Sequence, residues 1–246
     1  MAPLIVNCCR YATLALLLCL PGLNSATAAN EDLKIPNLGE SSTSLFSADY
    51  EYELGRMWLR SFRGQAPLVT DPLLYGYLEN LVFELVQHSE LQDRRIELVI
   101  VDNPTINAFA VPGGVIGVHN GLFNYAVTED EFATVMAHEI AHISQRHFSR
   151  RMEQAQEQGP MQLAALLAGV LLAATVGSDA GLAAMTTAQG LAQDAQLRYS
   201  RANEAEADRV GLRTLYNAGM DPYATPQMFE RMYAATRYSQ GDRVPE

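Results

Sequence analysis

Between residues 128 and 152 the apolar positions keep a helical rhythm. At about 100° per residue, Phe132, Val135, Met136, Ile140 and Ile143 fall on one side, which predicts a stripe turned towards a core. Thr128 and Glu131 form a Thr-x-x-Glu capping box ahead of that run, so a helix is expected over 129–152. Helical patterning also covers 44–62 and 73–88, the second opened by Asp71 as N-cap and Pro72 at the first helical position. Residues 97–101, 106–111 and 115–119 read as strands, with Pro112-Gly113-Gly114 as the turn between the last two. A further helix opens at Arg201 and ends near Asn217 and Gly219, and 228–238 carries a final helical signal. No internal repeat is visible. The pattern predicts an α+β fold, mostly helical, with a small β-sheet beside the capped helix.

Two stretches depart from this amphipathic pattern. Residues 161–177 are almost wholly apolar and alanine-rich, which leaves three readings open: a buried helix, a helix docked on a membrane face and a transmembrane helix. The small-residue stretch 180–195 is expected to pack against it. Residues 1–28 read as a secretory signal peptide: Arg10 is their only charge, 11–20 are apolar but too few to span a bilayer, and Ala26-Thr27-Ala28 fits the cleavage rule. Residues 29–43 read as a polar leader, which leaves 44–246 as the expected domain. All three cysteines (Cys8, Cys9, Cys19) lie in the signal segment, so the mature chain is expected to hold no disulfide and no thiol chemistry. The net charge of −11 argues against nucleic acid or an anionic membrane surface as the main partner.

The candidate chemistry sits on the capped helix, in His138-Glu139-Ile140-Ala141-His142. Histidines four residues apart on a helix point the same way, one turn above the other. That separation lets two imidazole nitrogens reach one zinc ion, while the glutamate between them takes a proton from water without ligating. The pair falls roughly 100–140° from the apolar stripe, where a cleft could lie.

Two histidines need a third ligand, and no cysteine is left to supply it. Glu204 and Asp208 lie four apart on one face of the helix opening at Arg201, with Gly211 and Leu215. The preferred arrangement has Glu204 as ligand and Asp208 as acceptor for a ligand imidazole N–H. An exposed acidic face is the alternative. Gly211 would let this helix approach the metal helix closely. Glu206 is expected to point away, towards solvent. His147 is expected to be a packing histidine out of reach of the metal, His119 to be structural, and His88 to be solvated at a helix end. The edge of the small sheet could accept an extended peptide by backbone pairing, or the strands could simply roof the core.

These residues carry a resemblance. Ile35-Pro36-Asn37-Leu38-Gly39, Gly64-Gln65-Ala66-Pro67-Leu68, Asp71-Pro72-Leu73-Leu74, Ile106-Asn107-Ala108-Phe109-Ala110, the histidine motif with Gln145-Arg146-His147, and Asn203 through Asp208 together resemble the BepA-type periplasmic zinc metalloproteases, in the broad family of HtpX and the CAAX prenyl proteases. The resemblance implies a zincin fold of the gluzincin type. It implies one Zn²⁺ on His138, His142 and Glu204, catalysis by Glu139 and support from Asp208. It also implies a periplasmic endopeptidase acting on misfolded or stalled outer-membrane proteins and linked to the barrel-assembly machinery. Members are similar to one another further on, through a Thr-His-Pro segment and tetratricopeptide repeats, and that repeat domain is expected to be absent from these 246 residues. Tyr199 and Arg146 are the candidates for stabilising an oxyanion. A second class of function also fits: a periplasmic chaperone or assembly factor with a structural zinc and little proteolysis. The strand edge and the apolar residues 161–195 favour that reading, and peripheral membrane contact would run through the same residues.

Overall fold

The computed structural model describes residues 46–176 and 193–241. The expected signal peptide, the leader and residues 180–192 lie outside the described residues. In chain order the elements are α1 (Ala48–Arg63), α2 (Pro72–Gln87), β1 (Glu97–Val101), β2 (Ala108–Val111), β3 (Val115–His119), a 3-10 turn (Asn120–Asn124), α3 (Glu129–Ser144), α4 (His147–Gln158), α5 (Pro160–Val176), α6 (Gln193–Asn217) and α7 (Ala224–Gly241). This is the expected mostly helical α+β architecture.

Helix starts follow from side chains that satisfy the orphan amides of the first turn. Ser47 accepts from the amide of Tyr50, and Asp71 accepts from those of Leu73 and Leu74. At α3 the capping box is complete: Thr128 Oγ1 accepts from the Glu131 amide at 3.2 Å, and Glu131 Oε2 accepts from the Val127 and Thr128 amides at 2.7 and 3.3 Å. At the far end of α6, Gly219 adopts φ 76° and the Met220 amide reaches back to the Leu215 carbonyl, the expected glycine stop.

The sheet has the order β1-β3-β2, with β1 parallel and β2 antiparallel to β3. Both faces of β1 are covered. Leu98 and Ile100 join the main core with α2 and α3, while Val99 and Val101 face Trp58, Leu59 and Phe62 of α1. α3 runs through the main core. Val135, Met136 and Ile140 pack with Leu78 and Leu85 of α2, Ile100 and Ile116 of the sheet, Leu215 of α6 and Met228 of α7.

Where α6 crosses α3, the contact residues are small. Ala141, Ala207 and Val210 form a buried cluster, and a Cβ placed on Gly211 would lie 3.0–3.1 Å from the backbone of Ala137 and His138. The glycine does set a close approach of the two helices.

One expectation is corrected here. The helix over 129–152 is not continuous: α3 ends at Ser144, Arg146 takes a left-handed conformation (φ 54°, ψ 35°), and α4 starts afresh at His147. Such a conformation costs a non-glycine residue about 1–2 kcal/mol. It is held here by the Arg146 guanidinium, which bonds the Glu51 carboxylate and the Phe46 carbonyl. Of the three readings left open for the apolar stretch, the buried helix fits best: its residues up to Val176 belong to α5, which packs on α1, α4 and β2 with Leu166 and Ala174 buried. Among the described residues, no helix is long and apolar enough to cross a membrane.

Glycine should therefore have opposite worth at two helical positions. Gly76 in α2 has nothing within 4 Å of where its Cβ would be, so Gly76→Ala is expected to stabilise by about 0.5–1 kcal/mol. Gly211→Ala must push backbone apart and is expected to destabilise by about 1–3 kcal/mol. Thermal unfolding of the two variants checks this; equal shifts would rule out the close helix crossing.

Candidate metal centre

α3 and α6 bring three of the predicted residues to one point. His138 Nε2 lies 3.0 Å from His142 Nε2, and Glu204 Oε2 lies 3.4 Å from the first and 3.5 Å from the second. Three donors each about 2.0–2.1 Å from a common tetrahedral centre would lie about 3.3 Å apart. The measured triangle thus fits one zinc-sized ion, with ligand atoms of His138, His142 and Glu204 all within 4.8 Å of one another. Asp208 Oδ1 accepts from His138 Nδ1 at 3.0 Å, which directs the other ring nitrogen towards the triangle.

The charges agree with a cation site. Burial alone would weaken proton binding by His138, but its bonds to Asp208 and Glu204 and the nearby Glu139 overcome that and raise its pKa to about 10. Burial would likewise raise the Glu204 carboxyl, yet the two imidazoles hold it well below the usual carboxylate range. A field that draws a proton so strongly into this triangle favours a divalent cation in the same place.

The triangle opens into a cleft of about 420 Å³. Glu139 lines it beside His138 and His142. The edge strand β2 forms one wall, Val170 and Ala174 of α5 line another part, and Arg146 and Arg151 lie at its border. Opposite β3, the edge of β2 has no strand partner among the described residues, and it borders the cleft.

The remaining sequence candidates separate clearly. His119 is buried and structural: Thr105 Oγ1 lies 2.8 Å from its Nδ1, the Ala174 carbonyl lies 3.0 Å from its Nε2, and burial lowers its pKa. His88 sits partly exposed against Glu84. Arg146 lines the cleft with its guanidinium held by Glu51 and Phe46. The side chain of Tyr199 lies outside the described residues.

Glu206 is the clear correction. It was expected in solvent but is 1% exposed, accepting at Oε2 from His147 Nε2 at 3.1 Å and from an Arg150 terminal nitrogen at 2.9 Å. Burial would raise its carboxyl, but those two partners overcome it and lower it. His147 is buried as expected, yet its Nδ1 lies 2.8 Å from His142 Nδ1, so it touches a residue of the triangle. Its pKa falls to about 4, through burial first and then the neighbouring His142 and Arg150. Helical periodicity missed this contact because it carried α3 through Arg146 unbroken. Arg146-His147 and the carboxylate two residues after Glu204 were the available signals, but neither reveals a left-handed residue.

Comparison with known proteins identifies the family. Residues 72–244 match the model of peptidase family M48. The chain is 38% identical over 212 residues to the beta-barrel assembly-enhancing protease of Escherichia coli K12, covering 86% of this chain and 43% of that protein. It is 36% identical over 233 residues to the protein of the same name in Yersinia pestis, covering 92% and 48%. It is 32% identical over 159 residues to the mitochondrial metalloendopeptidase OMA1 of Schizosaccharomyces pombe, covering 65% and 44%. The chain spans less than half the length of these curated relatives. With the family model matched over most of its length, the chain belongs to peptidase family M48.

Proposed function

We propose that this chain is a zinc-dependent metalloendopeptidase with one Zn²⁺ held by His138, His142 and Glu204. The observation that carries the reading is the donor triangle of 3.0, 3.4 and 3.5 Å facing a cleft lined by Glu139. Zinc held there supplies a Lewis acid that acidifies water and polarises a carbonyl. The Glu139 carboxylate takes the proton from the attacking water and hands it to the leaving nitrogen. Asp208 fixes the His138 ring by accepting from Nδ1. A substrate segment lies extended along the free edge of β2, pairing through its backbone and leaving side-chain identity loosely read.

The substrates proposed are misfolded or stalled outer-membrane proteins in the periplasm, reached after export through residues 1–28. Two relatives are named for β-barrel assembly, which supports this class and a link to the barrel-assembly machinery. Chains destined for a barrel are rich in strand-forming segments, the shape that an open strand edge accepts. Peripheral membrane contact through residues 161–195 belongs to the same proposal.

Glu139→Gln should keep zinc and lower cleavage of an unfolded outer-membrane protein by about 10²-fold or more. Glu204→Ala should instead lower the zinc found by metal analysis. A Gln variant that digests at the unchanged rate would remove Glu139 from the mechanism. Zinc uptake should also release protons. His138, raised to about 10, is protonated at pH 7.5 in the metal-free protein, so each ion bound displaces about one proton, and affinity falls as pH falls. Calorimetry in buffers of different ionisation enthalpy measures that number; zero protons would contradict the assigned ligand.

A further inference from the structure

Behind the triangle lies a group of buried and part-buried polar residues that the reaction as described does not use. Glu206, His147 and Arg150 sit on the side of His142 away from the donor point. The side chains of Glu206 and His147 are 1% and 4% exposed. Their hydrogen bonds form a line from Glu206 Oε2 to His147 Nε2 at 3.1 Å, and from His147 Nδ1 to His142 Nδ1 at 2.8 Å.

The chemistry of the groups sets the direction of that line. A carboxylate only accepts, so His147 carries its proton on Nε2 and donates to Glu206. His147 Nδ1 is then an acceptor, and at 2.8 Å the proton between the two rings belongs to His142 Nδ1. That leaves His142 Nε2 with its lone pair directed at His138 and Glu204. We propose that Glu206, acting through His147, is a positioning residue that fixes the tautomer and orientation of the His142 imidazole as a metal ligand.

Two further observations favour this over a purely structural ion pair. Arg150 and His147 both meet Glu206 at Oε2 and leave Oε1 without a hydrogen bond among the described residues, although an ion pair alone is strongest when it uses both oxygens. The left-handed Arg146 is also what turns His147 back over His142. In an unbroken helix, residues five apart lie about 140° from each other and their rings do not meet. A strained residue next to the site, whose result is a ring-to-ring hydrogen bond, fits a positioning role.

The inference rests on the proposed metal reading, and metal binding tests it apart from proteolysis. Purified full-length variants would be loaded with Zn²⁺ for affinity, by competition with a chelator, and with Co²⁺ for its visible spectrum. His147→Phe, which keeps a ring and removes the acceptor, should weaken zinc binding 10- to 100-fold and alter the cobalt spectrum. His147→Asn, which restores an acceptor, should recover much of the affinity. The near-isosteric Glu206→Gln guards against a His147 variant that fails to fold, and should weaken binding in the same direction. His88→Ala, at a partly exposed position, should match the parent chain. If Glu206→Gln and His147→Phe lower the melting temperature but keep parental affinity and cobalt spectrum, the role is structural and the proposal is overturned. Parent protein that binds zinc but cleaves nothing would sink the protease reading and leave this inference intact.

Discussion

The close crossing of α3 and α6 is the constraint on which everything else depends. Two residues of the donor triangle stand on one helix and the third on the other, so its size is set by how near the helices come. Ala141, Ala207 and Gly211 line that crossing, and a Cβ on Gly211 would press on the backbone of Ala137 and His138. The tolerance is narrow, because a shift of about 1 Å in a reacting constellation is enough to cost 10²-fold. The same α3 carries Val135, Met136 and Ile140 into the main core, which fixes the helix about its axis. Core packing and site geometry are therefore two faces of one helix, and the hydrophobic stripe is what makes the donor positions rigid.

What could be read in advance was whatever depends on short-range spacing. The capping box at Thr128 and Glu131, the N-cap at Asp71 and the glycine stop after Asn217 rest on contacts within a few residues, the strands at 97–101 and 115–119 show in their local residue pattern, and each has its counterpart in the fold. The pairing of Glu204 and Asp208 on one helix face follows from the same local period. The break at Arg146 could not be read this way, because its stabilisation comes from Glu51 and Phe46, about a hundred residues earlier. The burial of Glu206 depends in turn on that break, since its partners His147 and Arg150 lie on the helix that starts after it. One tertiary contact thus accounts for both misreadings.

The two histidines of the triangle are supported differently, and electrostatics gives a reason. His138 has a carboxylate directly on its second nitrogen, and that carboxylate, Asp208, is about half exposed and screened by water. The second nitrogen of His142 faces the buried His147, where a charge is harder to screen. A carboxylate placed directly on it there would add a buried negative charge beside Glu139 and Glu204. In the proposed relay an imidazole passes on the direction of the hydrogen bond, while the charge sits one ring further back on Glu206, balanced by Arg150. Orientation is transmitted without a further carboxylate set directly against His142.

The sheet adds the last constraint. A strand edge that accepts one peptide can also accept another copy of itself, so an open edge is a hazard unless access is limited. The two outer edges are treated differently here. Beyond β1, the chain at Leu68 forms a bridge to Val101, Val69 donates to the Ile100 carbonyl and the Asp102 amide reaches the Pro67 carbonyl, which closes that side. Among the described residues the outer edge of β2 has no strand beside it, but it borders the cleft, with α5 packed against β2 and lining the same space. The C-terminal carbonyls of α5 are tied down by His119 at Ala174 and by Asn103 at Thr175. α5 thus stands beside that edge, and Glu139 lines the same cleft. Part of the apolar character of α5 is used inside the fold: Val170, Leu171 and Ala174 pack with Trp58, Phe62 and Val99, and Val170 and Ala174 also line the cleft.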